Sequence, residues 1–298
     1  MNVRHLLEID DLSTDEIKAL LHLAGHTNPP HILEGKGVAL VFEKPSLRTR
    51  NSTEMAIVQL GGHPISLAAN EVGLGTRETP EDVARTLERY HSAICARVFE
   101  HEKLEHMAAV STVPIINLLS DHSHPLQALA DLMTIQHRFG SLDGLTVAYI
   151  GDSNNVSRSL AVACARTGMK IRFGCPPGYA PSDIDLDRIS GLGGAASVHD
   201  RPAEAADGAH VVYTDVWASM GKEEEADARR RAFEGYTIDD AVMEAAASHG
   251  IFLHCLPAHR GEEVSAEVID GPRSHVWEQA ENRMHTVRAA LMLLLEIS

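Results

Sequence analysis

The alternation of short apolar runs with helix-like segments constrains the fold of this chain more than any other feature. The strand-like runs of the first half lie at residues 37–43, 63–68, 92–99 and 113–119. Those of the second half lie at residues 145–152, 170–177, 209–217 and 250–257. Because segments with a helical pattern separate these runs, the strands are expected to be parallel and joined by crossover helices. The sequence therefore predicts the α/β class.

Residue types at the ends of the helical segments predict where helices begin. Ser13 followed by Glu16 has the form of a capping box, which marks the start of the first helix. Thr79 followed by Pro80 is a second start signal, and this helix is expected to continue to about residue 91.

The chain length and a helix near residues 125–140 predict two domains. At about 150 residues per domain, a chain of 298 residues has room for two. We expect a first domain over residues 1–130 and a second over residues 131–274. A C-terminal helix over about residues 275–298 is expected to return to the first domain. The predicted fold is two Rossmann-like α/β domains with parallel sheets, joined by interdomain helices.

The balance of charges excludes some classes of partner. Lys and Arg number 26 and Asp and Glu number 42, so the formal net charge is −16. A chain this acidic is a poor binder of nucleic acid or of an anionic membrane surface. The longest apolar run, "AALMLLLEI", is far shorter than the roughly 20 residues that a membrane-spanning helix needs. We therefore expect no nucleic-acid partner and no membrane association.

The four cysteines, Cys95, Cys164, Cys175 and Cys255, form no CxxC pair. Their spacing argues against a zinc site, and scattered thiols in a chain of this length are typical of a reduced, cytoplasmic protein. We therefore predict that the protein binds no metal and is cytoplasmic.

The segment "KPSLRTR", residues 44–50, concentrates anion-binding groups after the first strand. A helix beginning near Ser46 presents backbone N–H groups that the helix cannot pair, which makes an anion site. Thr49 adds a hydroxyl group, and Arg48 and Arg50 add guanidinium groups suited to phosphate. A solvated basic face is the plainer interpretation of such a cluster. Its position at a strand end favours a site for phosphate or a similar dianion.

Polar residues follow three further predicted strands, at the edge where parallel sheets bind ligands. The candidate site residues in these segments are His124 and Gln127 in "HPLQ", Asp215 and Ser219 with the apolar Met220 in "DVWASMG", and Cys255 with the apolar Leu256 in "HCLPAHRG". Each segment alone is ordinary, and a lone histidine is more often structural, but together they indicate a site. The turn "GDSNNV" lacks the GxGxxG pattern of a dinucleotide loop. It predicts a polar turn that presents Asn154 and Asn155.

Five segments together carry a family resemblance over nearly the whole chain. They are "KPSLRTR", "HPLQALADL", "DVWASMG", "HCLPAHRG" and "ENRMHTVRAAL". With them the chain resembles the ornithine carbamoyltransferases, whereas the first segment alone would indicate only the aspartate/ornithine carbamoyltransferase superfamily. The resemblance implies transfer of the carbamoyl group of carbamoyl phosphate to the δ-amine of L-ornithine, giving L-citrulline and phosphate in arginine biosynthesis. It also implies a homotrimer and an enzyme that needs no metal and no organic cofactor.

The same resemblance implies roles for individual residues. Those implied to bind carbamoyl phosphate are Ser46, Leu47, Arg48, Thr49, Arg97, His124, Gln127, Cys255, Leu256 and Arg283. Those implied to bind ornithine are Asn155, Asp215, Ser219 and Met220. Those implied to act in catalysis are Arg48, Arg97, His124, Asp215 and Cys255. The chain departs from the family pattern at Leu47, where threonine is common, and at residues 51–55, which are more apolar in many members.

Other functions are compatible with the same pattern. One is a carbamoyltransferase that accepts a different amine, such as putrescine or lysine. A second is a phosphometabolite-binding protein that uses this fold without catalysis. A third, a Rossmann-type dehydrogenase, is disfavoured by the missing GxGxxG loop. The number of site residues favours an enzyme, and the "SMG" loop favours ornithine.

Overall fold

The computed structural model describes residues 4–218 and 225–296, and the structural statements below concern those residues. The chain divides into two compact units. The first comprises Met1–Ala130 and Glu281–Ser298, and the second comprises Asp131–Ala280. The chain passes from the first unit to the second within one helix, Pro125–Phe139, and returns within another, Val276–Glu296.

The first unit contains a four-stranded parallel sheet with the strand order β2-β1-β3-β4. Its strands are β1 (Gly37–Phe42), β2 (His63–Ala68), β3 (Ala93–Arg97) and β4 (Ile115–Leu119). All five residues of β3 are buried, whereas β2 lies at the sheet edge and is largely accessible. The four predicted strands of the first half are thus confirmed.

Six α-helices begin in the first unit, after a short 3₁₀ helix at Ile9–Asp11. They are α1 (Thr14–Ala24), α2 (Leu47–Gln59), α3 (Ala69–Val72), α4 (Pro80–Leu87), α5 (Glu102–Val110) and α6 (Pro125–Phe139). The predicted N-caps Ser13 and Thr79 are confirmed, since each side chain accepts a backbone N–H of its helix. The prediction that α4 continues to residue 91 is wrong, because β3 begins soon after the helix ends.

The second unit contains a five-stranded parallel sheet with the strand order β7-β6-β5-β8-β9. Its strands are β5 (Thr146–Ile150), β6 (Lys170–Gly174), β7 (Ala195–His199), β8 (Val211–Thr214) and β9 (Ile251–His254). Its helices are α7 (Asn155–Thr167), α8 (Asp183–Gly191), α9 (Pro202–Ala206), α10 (Ala226–Ala232), α11 (Asp240–Ala245), α12 (Ala266–Ile269) and α13 (Val276–Glu296). The predicted fold class, two α/β domains with parallel sheets, is confirmed.

Each unit has its own apolar core. In the first unit Ile94 and Ala96 of β3 pack with Leu104 and Met107 of α5. In the second unit Phe252 of β9 belongs to a larger cluster of aliphatic and aromatic side chains. Each of the two sheets is thus packed in an apolar core of its own unit.

None of the helices in the described part of the chain combines the length and the apolar character needed to cross a membrane.

Candidate active site

The loop between β1 and α2 builds a helix N-terminus at the end of the first strand. Ser46 is the N-cap of α2, and its Oγ accepts the backbone N–H of Thr49 at 3.2 Å. The first turn of α2 also presents backbone N–H groups that the helix cannot pair internally. The side chain of Leu47 is 76% exposed. The departure from threonine at this position therefore leaves the backbone contribution of Leu47 unchanged.

The cations of "KPSLRTR" divide between this helix terminus and the surface. Nε of Arg50 lies 2.8 Å from Oε1 of Glu54, one turn further along α2, and the Arg50 side chain is 56% exposed. Hydrogen bonds from Ser66 and then Arg50 hold the pKa of Glu54 below its ordinary value. In this structure the Arg50 guanidinium group is thus engaged in a surface ion pair, and its suitability for phosphate stays a prediction. Nζ of Lys44 lies 4.0 Å from the ring centroid of Phe99.

Arg97 brings a buried positive charge to the same helix terminus. It is the last residue of β3, and its Nη1 donates to Oγ1 of Thr49 at 3.3 Å. Both side chains are buried, and the acceptor hydroxyl is neutral. A buried guanidinium group next to a helix N-terminus strongly favours an anion at this place, because both carry positive potential in a medium of low dielectric constant.

His124, Gln127 and Arg283 complete a cluster of buried polar groups in the first unit. His124 directly precedes α6, and Arg283 lies on α13. Nη1 of Arg283 is 2.6 Å from Oε1 of Gln127 and 3.4 Å from Nε2 of His124. Burial, and then the charges of Arg283 and Arg97, hold the pKa of His124 well below its ordinary value. The imidazole is therefore neutral at pH 7, and both arginines act on it.

We call Thr49, Arg97, His124, Gln127 and Arg283 the cationic site. Its members come from α2, the end of β3, the start of α6 and α13. Close polar contacts join Arg97 to Thr49 and Arg283 to His124 and Gln127, and the charge of Arg97 acts on His124. All five side chains are buried. The arrangement suits a ligand that carries a dianionic group and a carbonyl oxygen.

A second polar cluster occupies the strand ends of the second unit. Asp215 follows β8, Cys255 follows β9, and Asn154 is the N-cap of α7 after β5. Oδ1 of Asp215 accepts the Cys255 thiol at 3.0 Å and the Val216 N–H at 2.8 Å. Oδ2 of Asp215 accepts Nδ2 of Asn154 at 2.8 Å. We call Asn154, Asp215 and Cys255 the Asp215 cluster.

The side chain of Asn154 is held in place by the first turn of α7 and by the buried Tyr149. Its Oδ1 accepts the N–H groups of Val156 and Ser157 and, at 3.3 Å, the hydroxyl of Tyr149. Burial, and then the charge of Asp215, raises the pKa of Tyr149 well above its ordinary value, so this hydroxyl stays a donor. Because Oδ1 of Asn154 accepts these three hydrogen bonds, the side-chain amide is oriented with Nδ2 toward Asp215. The polar turn was predicted to present both Asn154 and Asn155; the structure brings Asn154 to Asp215, whereas Asn155 is the first residue of α7.

Two of the predicted ornithine ligands, Ser219 and Met220, lie outside the described residues. The segments that flank them are held by Arg229, whose Nη1 donates to Asp152 Oδ2 at 2.7 Å and to the Trp217 carbonyl at 2.9 Å. Sequence reasoning missed Asp152 and Arg229. Asp152 could have been found from its place after β5, but nothing in the run Arg229–Arg231 distinguishes the first arginine from the others.

Asp215, His254 and Cys255 bring three potential metal-ligand atoms within 4.8 Å of one another. Both ring nitrogens of His254 are already used: Nδ1 accepts the Leu256 N–H at 2.8 Å, and Nε2 lies 3.2 Å from Oε1 of Glu263. With these contacts in place, the group offers two ligand atoms rather than three.

Comparison with known proteins covers both units. The family model "Aspartate/ornithine carbamoyltransferase, carbamoyl-P binding domain" matches residues 4–137, and the model "Aspartate/ornithine carbamoyltransferase, Asp/Orn binding domain" matches residues 143–295. An ornithine carbamoyltransferase of Acidothermus cellulolyticus is 49% identical, over 99% of this chain and 97% of that protein. One of Parafrankia sp. is 48% identical, over 99% and 97%. The crystal structure of ornithine carbamoyltransferase from Thermus thermophilus superposes with a TM-score of 0.90 at 46% identity, over 98% of this chain and 99% of that chain.

Proposed function

This chain belongs to the ornithine carbamoyltransferase family, and from that premise we propose which residues carry out its reaction. The reaction is transfer of the carbamoyl group of carbamoyl phosphate to the δ-amine of L-ornithine, with L-citrulline and phosphate as products. The observation that carries the assignment is the cationic site, where two buried arginines and a neutral histidine meet beside a helix N-terminus.

We assign the phosphate of carbamoyl phosphate to the N-terminus of α2 and to Arg97. Ser46, Leu47, Arg48 and Thr49 contribute backbone or side-chain donors there, and fixed donors of this kind stabilise the negative charge that develops on the leaving group. We assign the carbamoyl group to His124, Gln127 and Arg283. Because His124 is neutral, it polarises the carbonyl oxygen as a hydrogen-bond donor without adding a full charge.

We assign ornithine to the Asp215 cluster, together with Asn155, Ser219 and Met220. The Asp215 carboxylate suits the α-ammonium group of an amino acid and also orients the Cys255 thiol. The family resemblance also implies that Cys255 and Leu256 bind carbamoyl phosphate.

The chemistry is direct attack of an amine on an activated carbonyl. The lone pair of the neutral δ-amine forms the new N–C bond, and the C–O bond to phosphate breaks with its electron pair. The proton that the amine loses passes to the departing phosphate, which leaves as hydrogen phosphate held by the α2 terminus and Arg97. Holding both substrates in reacting geometry supplies much of the rate, and the cationic site supplies charge stabilisation.

The rate at subsaturating ornithine is expected to rise from pH 7 into the alkaline range. A primary amine has a pKa near 10, so roughly one molecule in a thousand is neutral at pH 7. His124 is not expected to add an inflection near pH 6.5, because its depressed pKa keeps the ring neutral above that pH. A rate profile from pH 6 to 10, with the His124 ring followed by NMR, tests both points. A flat profile, or a ring that titrates near pH 6.5, would contradict the assignment.

Replacing Cys255 by serine is expected to leave measurable activity. The thiol donates to Asp215, and a hydroxyl group can make the same contact. We expect kcat/KM for ornithine to fall by about tenfold, as for a weakened orienting contact. Steady-state kinetics and mass spectrometry of enzyme incubated with carbamoyl phosphate alone form the test. A carbamoyl-thiol adduct together with a fully inactive variant would instead establish covalent catalysis.

We also propose the homotrimer, a cytoplasmic location and a role in arginine biosynthesis. Large apolar side chains are exposed on α2, at Leu47, Met55 and Val58, and on the edge strand β2, at Ile65. These residues suit a contact with another copy of the chain. The four cysteines form no disulfide with one another, which fits a reducing compartment, and citrulline is a precursor of arginine. Sedimentation equilibrium at micromolar concentration should give three times the chain mass, whereas a clean monomer would reject the trimer.

The acceptor is tested by a panel of amines. The enzyme is incubated with carbamoyl phosphate and one of L-ornithine, putrescine, L-lysine or L-aspartate, and the carbamoylated products are separated and quantified. We expect ornithine to give the highest kcat/KM. A preference for putrescine would show that the α-carboxylate and α-ammonium groups are not recognised.

A further inference from the structure

The buried side chains of His254 and Glu263 are in contact, and His254 directly precedes Cys255 and Leu256 in the chain. His254 is the last residue of β9 and is 1% exposed, and Glu263 is 0% exposed. Nε2 of His254 lies 3.2 Å from Oε1 of Glu263. The reaction scheme above uses neither residue. Two ionisable side chains buried at this depth need a reason for their placement, because burial of such groups is costly unless they are specifically paired.

The contacts of His254 determine which of its ring nitrogens carries the hydrogen. The backbone N–H of Leu256 donates to Nδ1 at 2.8 Å, so Nδ1 is the acceptor and the hydrogen resides on Nε2. That hydrogen points at Glu263, whose Oε1 also accepts the His259 N–H at 2.6 Å. Glu263 therefore selects the tautomer of His254 that can accept from Leu256.

The backbone at Leu256 is in an unfavourable conformation. Its φ angle is +58°, and among the described residues no other non-glycine residue has a positive φ. For a residue with a Cβ atom the left-handed region is strained, and such a residue persists where its surroundings hold it. The Leu256 N–H bond to His254 is one contact that does so. The backbone N–H of His254 itself donates to Oε1 of Gln279 at 3.0 Å.

We propose that His254 and Glu263 are positioning residues that hold the left-handed backbone at Leu256. Through that backbone they set the direction of the Leu256 carbonyl and the place of the Cys255 thiol against Asp215. The roles of Leu256 and Cys255 toward substrate rest on the proposed function, but the positioning itself does not. Glu263 acts on His254, His254 acts on Leu256, and neither touches a substrate.

A matched pair of substitutions separates the two contacts of the ring. His254→Asn places an amide oxygen close to the position of Nδ1, so it keeps an acceptor for Leu256 and loses the contact with Glu263. His254→Gln places an amide nitrogen close to the position of Nε2, so it keeps the contact with Glu263 and loses the acceptor for Leu256. The two variants are similar in polarity and buried volume. A role limited to filling the core would impair them equally.

Citrulline formation is expected to distinguish the pair. For His254→Gln we expect kcat to fall on the order of 10²-fold, as for a misplacement of about 1 Å at reacting groups. For His254→Asn we expect kcat within about fivefold of wild type, since the Leu256 contact and hence the geometry are retained. The melting temperature should be similar in the two variants. Equal kcat values in the pair, or a loss of kcat that merely follows the melting temperature, would overturn the proposal.

Alkylation of Cys255 gives a second readout that does not depend on turnover. Cys95, Cys164 and Cys175 are buried, so iodoacetamide reports on Cys255 in the folded enzyme. We expect His254→Gln to be alkylated at least about fivefold faster than wild type, and His254→Asn within about twofold, because thiol reactivity follows exposure and local contacts. If wild type made no citrulline while this contrast persisted, the proposed function would fail and the positioning would stand. If wild type made citrulline and the contrast were missing, the positioning would fail alone.

Discussion

Replacing Arg97 by methionine should lower kcat for citrulline formation by about 10³-fold, the upper range for loss of one preorganised charge stabiliser. The Arg97 guanidinium group is buried and donates to Thr49 at the N-terminus of α2, where we place the departing phosphate. Methionine keeps much of the buried volume, and it removes the positive charge and the donors together. The fold should survive, since an apolar side chain is tolerated in a buried position.

The control is the same substitution at Arg50. This residue lies in the "KPSLRTR" segment, but its guanidinium group is largely exposed and pairs with Glu54. Because an exposed ion pair between residues four apart stabilises a helix by well under about 1 kcal/mol, we expect Arg50→Met to keep kcat within about threefold. Initial rates with circular dichroism melts give the comparison. Equal losses at both positions, or an Arg97→Met variant with wild-type rate, would refute the assignment of the phosphate.

Replacing Asp215 by asparagine should lower kcat/KM for ornithine on the order of 10³-fold, as expected when one partner of a buried charge pair is removed. Both oxygens of Asp215 accept hydrogen bonds, from the Cys255 thiol and Val216 on one side and from Asn154 on the other. An amide has only one such oxygen, so one of these donors would face another N–H group. The variant therefore loses the negative charge and also the arrangement of the Asp215 cluster.

Affinity for carbamoyl phosphate, measured by calorimetry without ornithine, should stay within about threefold in Asp215→Asn, since ligands bound by independent contacts respond independently. Asp185→Asn is the matched control, because this carboxylate of the same unit pairs with Arg158, at 2.8 Å, and not with the cluster. We expect that control to retain the wild-type kcat/KM within about threefold, as is usual for substitutions away from a site. Equal loss of both substrates in Asp215→Asn would show that Asp215 supports the fold as a whole.

The sequence predicted the strand ends well, because polar residues directly after apolar runs are visible without coordinates. Asp215 and Cys255 directly follow β8 and β9, and His124 follows β4 after a short loop. Arg97 lies within the predicted strand, and only the family resemblance implied its role. The sequence did not predict the helix α8 or the strand β7, and the strand was missed for a physical reason. β7 is an edge strand with largely accessible residues and a weakly apolar sequence, AASVH, so burial left no pattern there.

Which of two neighbouring residues faces a site was harder to predict. Arg48 and Arg50 are about 200° apart around a helix with 3.6 residues per turn, so one can contact a ligand while the other pairs at the surface. The choice between Asn154 and Asn155 depends on which residue is the N-cap. His254 and Glu263 gave no signal, because they lie nine positions apart in the chain and no local rule relates residues at that separation.

The most direct test of the account is product formation by the purified enzyme. Carbamoyl phosphate labelled with ¹³C in the carbamoyl group is supplied with L-ornithine, and citrulline and phosphate are quantified together in wild type and in Arg97→Met. We predict that wild type forms labelled citrulline and phosphate in equal amounts and that Arg97→Met forms both far more slowly. Phosphate released without citrulline, or no turnover by folded wild-type enzyme that binds carbamoyl phosphate, would contradict the account.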